Sequence, residues 1–161
     1  MLMQIGMSNK QRGIGLLELM LSLAIIAVLL VMATRYYKTA HTGQQVNDAV
    51  GMIEAIRGAS AQWEAGRPTY TGIDMAKLDQ YGLIPKDVAG NSSPAGSGTN
   101  PWGGDVSVRA ASGGAQIDIS LTNVPKDACH NLISRLRAQA LSTNPQSENS
   151  CANNTDFHAF F

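Results

Sequence analysis

The chain has 161 residues, 44% hydrophobic and 15% charged, with twelve basic and twelve acidic side chains and a formal net charge of zero. That balance excludes the basic, clustered surface of a nucleic-acid binder, and the length suits one small domain. Sixteen glycines, with much Ser, Asn, Thr and Ala, read as a loop-rich exported domain.

In chain order, residues 1–13 come first. They contain Met, Gln, Asn and Ser, the charges Lys10 and Arg12, and Gly13 at their end, with no apolar core of their own. They read as a cytoplasmic leader. From Ile14 to Thr34 the chain is almost wholly apolar for about twenty residues, enough for a helix to cross a bilayer. The single charge in this run is Glu18. A carboxylate at such depth costs a few kcal/mol on insertion scales, so its presence requires a reason. Three readings of the run compete: a secretory signal peptide cut after Ala33, an uncleaved single-span anchor, and the buried helix of a soluble domain. Length and purity argue against the buried helix. Glu18 argues against the signal peptide, whose apolar region gains nothing from a carboxylate.

A basic leader ending in Gly13, Glu18 five residues later and an uninterrupted apolar helix together resemble a type IV prepilin. The resemblance implies that a membrane peptidase cuts between Gly13 and Ile14 and methylates the new N-terminus, leaving Glu18 as the fifth mature residue. Cleavage after Gly15 would leave Glu18 third, which departs from the pattern. Physically, Gly loosens the helix at the scissile bond. The freed amine of Ile14 would be a positive charge at the membrane edge, and Glu18 of one subunit could pair with the amine of a neighbour, offsetting both desolvation costs. Without the leader, Lys10 and Arg12 go and no acid goes, so the net charge falls from zero to about −2.

Arg35 and Lys38 follow the span, so charge alone does not orient it, and Tyr36 and Tyr37 fit an interfacial aromatic pair. The resemblance places the C-terminal part outside the cytoplasm. From Lys38 to Ala65 the pattern turns amphipathic. Val46, Ala49, Val50, Ile53, Ile56, Ser60 and Trp63 recur at three- and four-residue spacing as one apolar stripe. No proline interrupts residues 14–67, which predicts one helix ending near Gly66, a rod of roughly 75–80 Å at 1.5 Å per residue. Gly43, Gly51 and Gly58 are weak points in it or sites of close helix contact.

Residues 67–104 read as a connector. Asp74 caps a short helix over 75–81, Gly82 closes it, and Leu83-Ile84-Pro85 turns. Residues 90–101 read as a flexible loop by composition, and the Gly-x-Gly at 96–98 lacks the spacing of a phosphate-binding loop. Val106–Val108 and Ile117–Leu121 alternate apolar and polar residues about a turn at 111–114, a hairpin with one buried face. Trp102, ahead of it, reads as a core plug. A helix opens at Val124-Pro125 and runs to about Leu141, with Leu132, Ile133, Leu136 and Ala140 on one side. Residues 142–155 read as polar loop and 156–161 as a last strand.

Cys129 and Cys151 are the two cysteines. In an exported domain they most simply form a disulfide, with two buried thiols or an intermolecular link as alternatives. Two cysteines with His130 nearby fall short of a zinc site. A disulfide near the C-terminus is also a pilin feature that the resemblance implies. His41, His130 and His158 are widely separated and form no metal or nucleophile motif; His41 reads as exposed on the helix and His130 as solvated beside the cysteines. No catalytic site, metal or cofactor is expected, and no nucleic-acid partner.

Asn100-Pro101-Trp102-Gly103-Gly104, the hairpin and Val124–Cys129 look most like the type IVb pilins of thin conjugative and enteric colonisation pili, although the leader is shorter than most of that subclass. The resemblance implies an α+β fold, a long N-terminal helix on a small antiparallel sheet. It divides the chain into a removed leader (1–13), a transmembrane and polymerisation half-helix (14–37) and a globular head (38–161). It further implies a homo-oligomeric helical fibre, with a prepilin peptidase, an assembly ATPase, an inner-membrane platform and an outer-membrane secretin as partners. The subunit would sit in the inner membrane and then in an extracellular pilus. Two other readings share parts of this pattern: a pseudopilin of a type II secretion system, and a binding module on an ordinary anchor.

Overall fold

The computed structural model describes residues 15–161. The chain divides into two compact units, an N-terminal one ending at Thr39 and a second comprising Ala40–Phe161. Helix α1, Leu16–Glu64, is a single element of 49 residues. It is unbroken because no proline interrupts it and good helix formers dominate. It ends where the sequence predicts: Gly66 adopts φ +87°, which glycine reaches without a Cβ penalty. Arg67 folds back, its guanidinium 4.0 Å over the Trp63 ring and donating to the Trp63 carbonyl at 2.6 Å. A hydrogen bond to Glu64 raises the Tyr70 phenol above its ordinary value of 10.0.

In the second unit the apolar stripe of α1 lies in the core. Val46, Ala49, Ile53, Ile56, Ser60 and Trp63 are buried. Val50 is only half-buried, and Ala59 takes a core position that the stripe did not include. The Ser60 hydroxyl is satisfied by donating to the Ile56 carbonyl at 2.7 Å. A Cβ added at Gly43, Gly51 or Gly58 meets nothing within 4 Å among the described residues, so none of the three marks a close contact inside the subunit.

Helix α2, Met75–Gln80, carries the predicted cap: Asp74 accepts from the Lys77 amide at 2.7 Å. Its far end is a Schellman motif, with Gly82 at φ +65° donating to Asp79 and Leu83 donating to Leu78. A short helix not foreseen in the sequence, α3, occupies Lys86–Ala89 with Pro85 at its N-cap. Residues 90–101, expected from composition to be a flexible loop, are instead tied down by hydrogen bonds. The Gly96 amide donates to Ala89 and its carbonyl accepts from Val106. Asn100, buried, accepts at Oδ1 from the Trp102 and Gly104 amides, both at 2.9 Å, and donates to the Thr122 carbonyl at 2.7 Å. Gln45 of α1 donates to the Pro101 carbonyl at 2.8 Å. Composition records a lack of apolar residues here, but side-chain amides and carboxylates hold the backbone instead.

The sheet is antiparallel and four-stranded, in the order β1-β2-β4-β3. The hairpin of β1, Val106–Ala111, and β2, Gln116–Val124, is as predicted, with Val108 opposite Ile119. Strand β4, Thr155–Phe160, is the expected closing strand and lies inside the sheet, between β2 and the edge. The edge strand β3, Ser142–Asn144, falls where a polar loop was expected. The helix of the C-terminal half, α4, spans Lys126–Leu136 with Pro125 at its N-cap and ends about a turn earlier than predicted. The cause of both differences is β4, whose free side needs a partner: the Leu141 amide donates to the Phe160 carbonyl, and Ser142–Asn144 continue the ladder.

Alternation then sets the two faces of the sheet. Val106, Val108, Ile117, Ile119, Leu121, Phe157 and Ala159 are buried in one core with α1, α2 and α4. Phe157 is the largest fully buried side chain there, opposite Leu121. Phe157→Ala should lower stability by about 3–5 kcal/mol. Thermal unfolding of the detergent-solubilised full chain measures this, and a loss below about 1 kcal/mol would place Phe157 outside the core.

Candidate assembly helix and disulfide-closed region

Along the N-terminal unit, no residue of α1 is buried among the described residues. Each large apolar side chain from Leu16 to Met32 is at least 51% exposed, and Leu17 reaches 82%. The most apolar 18-residue window of α1 has a mean hydropathy of 2.7, with none of its residues buried. Covering a Leu, Ile, Val or Met side chain is worth roughly 1.5–3 kcal/mol, so this surface in water would be strongly unfavourable. The helix is therefore built to be covered by something outside its own fold, and by length and composition it can cross a membrane.

Glu18 stands in the first turn of α1, exposed, where a carboxylate complements the unpaired amides and positive dipole end of the helix. Gly13 and Ile14, the residues on either side of the expected cleavage, lie outside the described residues. Beyond the apolar window Tyr36 and Tyr37 are 79% and 69% exposed, as an interfacial pair requires.

In the second unit Cys129 and Cys151 form a disulfide, with Cα atoms 6.0 Å apart. This selects one of the three thiol arrangements open to the sequence. Both sulfurs' residues are buried. The bridge fastens the first turn of α4 to the end of the short 3₁₀ turn Glu148–Ser150. A second tie lies nearby: the Ser134 hydroxyl donates to Glu148 Oε1 at 2.9 Å. Between these ties the chain carries the rest of α4, Leu141 and β3. His130, expected to be solvated beside the cysteines, is instead half-buried, with Nε2 enclosed and unpaired among the described residues. The helical register that points Cys129 into the core carries the neighbouring ring partly with it. Trp102 is half-buried against the core, close to the plug that was expected, with Nε1 likewise enclosed and unpaired.

One polar cluster escaped the sequence reading. Asp118 faces away from the apolar core on β2 yet is only 2% exposed. Arg109 Nε donates to its Oδ2 at 2.8 Å, and His158 Nδ1 lies 2.9 and 3.1 Å from its two oxygens. Arg109 is directly opposite Asp118 in the hairpin, and His158 is diagonal to it on β4. The hairpin register could have paired Arg109 with Asp118 from sequence; nothing local links either to His158. Both oxygens are occupied by the chain's own side chains, Arg109 and His158, which makes the cluster a cross-strand clamp. Among the described residues, no group of three or more His, Cys, Asp or Glu is arranged to hold a metal ion.

Two family models match the chain. The model described as PilS N terminal covers residues 43–156, and the prokaryotic N-terminal methylation motif covers residues 8–34. Among curated proteins, the chain is similar to the major structural subunit of bundle-forming pilus from Escherichia coli O127:H6 (strain E2348/69 / EPEC). It is equally similar to the protein of that name from Escherichia coli O111:H-. Each is 25% identical over 124 residues, an alignment covering 76% of this chain and 63% of the relative. The match thus spans somewhat under two thirds of the relatives' length.

The bridge closes a loop of 22 residues, and the chain-entropy model assigns such a loop about 3 kcal/mol. Replacing both cysteines by serine should lower stability by about that amount. Limited proteolysis should then find new cuts between residues 137 and 150 before any in β1 or β2. Equal resistance of the two proteins would show the bridge to be dispensable.

Proposed function

The chain belongs to the PilS N-terminal family, and we propose that it is the structural subunit of a type IVb pilus, polymerised through its N-terminal helix into a surface fibre. The observation that carries this reading is the wholly uncovered apolar half of α1, with a carboxylate in its first turn and the methylation motif over the same residues. One surface serves two solvents in succession. Before assembly lipid covers it; in a fibre the same half of neighbouring subunits covers it, with no need to expose it to water between.

In this reading a prepilin peptidase cuts between Gly13 and Ile14 and methylates the new amine. Glu18 then pairs with the Ile14 amine of a neighbour, so that two charges that are each costly in an apolar medium enter together. The head, held by the core and the Cys129–Cys151 bridge, faces the periplasm and later the exterior. An assembly ATPase, an inner-membrane platform and an outer-membrane secretin supply work, support and exit. The fibre serves adhesion, aggregation or conjugation.

The protein extracted from the membranes of its native host should begin at Ile14. It should be one methyl group heavier and, relative to its reduced form, two hydrogens lighter. A start at Thr34 would make it a secreted soluble domain, and an intact leader beside an active peptidase would make it a plain anchor. Glu18→Ala should still be processed and inserted. Removing one partner of a buried pair costs about 3–5 kcal/mol, so fibre yield should fall by on the order of a hundredfold. Wild-type yield of sheared fibres from this variant would refute the pairing.

A further inference from the structure

The head carries an acidic groove of about 480 Å³ whose lining includes Asp48, Met52 and Ala55 of α1, Asp87 and Val88 of α3, and Pro101. Asp48 and Asp87 are exposed, and neither has a hydrogen-bond or ion-pair partner for its side chain among the described residues. The lining contains no Lys or Arg. Lys86, next to Asp87 in sequence, is committed elsewhere, 2.7 Å from Asp79. Two carboxylates on separate elements thus flank an apolar floor of Met52, Ala55 and Val88, and no described residue supplies a cation to them.

The complementary feature lies at the far end of α4. In the second unit the exposed large apolar side chains are Tyr81 and Leu141, and Leu141 is 68% exposed. Beside it Arg137, also exposed, borders the same shallow depression with Ile133, Ala140 and Thr143, and its guanidinium has no partner among the described residues. The disulfide-closed segment therefore presents one cation and one apolar knob together. The acidic groove offers two anions around an apolar floor, and the two patches share no residue.

We propose that Arg137 and Leu141 of one subunit seat in the Asp48–Asp87 groove of a second copy of this chain, Leu141 on Met52 and Val88 and the guanidinium between the carboxylates. Resting on the reading of the chain as a fibre subunit, this adds a head-to-head contact to the packing of the helices. Arg suits the position because its planar fork can serve two carboxylates at once. Because knob and groove are different surfaces, the contact is heterologous, the kind that propagates as an open helical array wherever its rotation does not close into a ring.

The test uses the full-length chain in its native host, comparing wild type, Arg137→Glu, Asp48→Lys with Asp87→Lys, and all three substitutions combined. Like charges facing each other across a contact cost several kcal/mol, so each reversal should lower the yield of sheared fibres by about tenfold or more. Processed, disulfide-bonded subunit should remain in the membrane at wild-type amounts, and the combined variant should recover most of the fibre. Wild-type yield from either reversal, or no recovery in the combined variant, overturns the contact and leaves the pilus reading standing. Absence of fibres from the wild type overturns both.

A cysteine pair gives an independent measurement should a reversed subunit fail to accumulate. Cells making a mixture of Leu141→Cys and Met52→Cys subunits should yield covalent dimers on mild oxidation, while either variant alone should not. Assembled fibres without such dimers overturn the contact.

Discussion

The structure depends on a helix that its own chain leaves bare for half its length. Among the described residues, roughly a dozen large apolar side chains between Leu16 and Met32 are left 51–82% exposed. At about 1.5–3 kcal/mol for each, the exposed surface exceeds the whole net stability of a typical small domain, about 5–15 kcal/mol. No rearrangement of so small a head could enclose it. The apolar surface therefore calls for cover from outside the fold, and in the proposed fibre the carboxylate in the first turn would limit which arrangements of neighbours are tolerable. A purely apolar helix could slide along another at little cost. One with a single charge has a preferred register, because only some offsets bring an opposite charge to it.

The second unit has the reverse problem, since it must remain folded with few charges and many loops. Its solution combines one helix face, one sheet face and a set of local fasteners. The stripe from Val46 to Trp63 shares one core with the inward face of β1, β2 and β4, and buried residues of α2 and α4 complete the cover. Where apolar residues are sparse, a buried amide replaces them: Asn100 closes its own loop by accepting from the Trp102 and Gly104 amides and ties that loop to β2 with one bond, to the Thr122 carbonyl. Each such bond contributes only about 0.5–1.5 kcal/mol net, but leaving the enclosed backbone groups unpaired would cost more. The disulfide acts on the remaining weak point, the segment of α4, β3 and the 3₁₀ turn that adds only a three-residue strand to the sheet.

Much of this was legible in the sequence, for reasons that differ by element. The apolar half of α1, its amphipathic continuation, the Asp74 cap and the hairpin are each encoded by residues within a few positions of one another, so periodicity and capping chemistry reveal them. The end of α4 and strand β3 were not legible, because both are decided by β4, which follows them by more than ten residues. Ser142-Thr143-Asn144 has no apolar alternation of its own and becomes a strand only because Phe160 and its neighbours offer a free ladder. Asp118 was hidden for the same reason: its burial requires Arg109 across one strand pair and His158 across another. The family resemblance supplied what residues alone did not, an expected role for Glu18 five positions after Gly13.

A physical asymmetry between the two units follows. In the N-terminal unit the apolar surface rests on composition, and any apolar side chain of ordinary helix propensity preserves it; in the proposed fibre only the position of the charge would be specific. In the head each side chain has a particular neighbour, as the Cβ test at Gly104 illustrates: an added carbon would lie 2.2 Å from the Thr122 carbonyl oxygen. Substitutions that leave both the core and the proposed contact between heads intact are thus confined to the remaining outer surfaces of the head, its exposed turns above all. Those are also the surfaces a host molecule would meet. A fibre whose helices pack through composition can keep the same assembly principle while its exterior changes residue by residue. Fixed polymerisation with a variable surface is what this division of constraints allows.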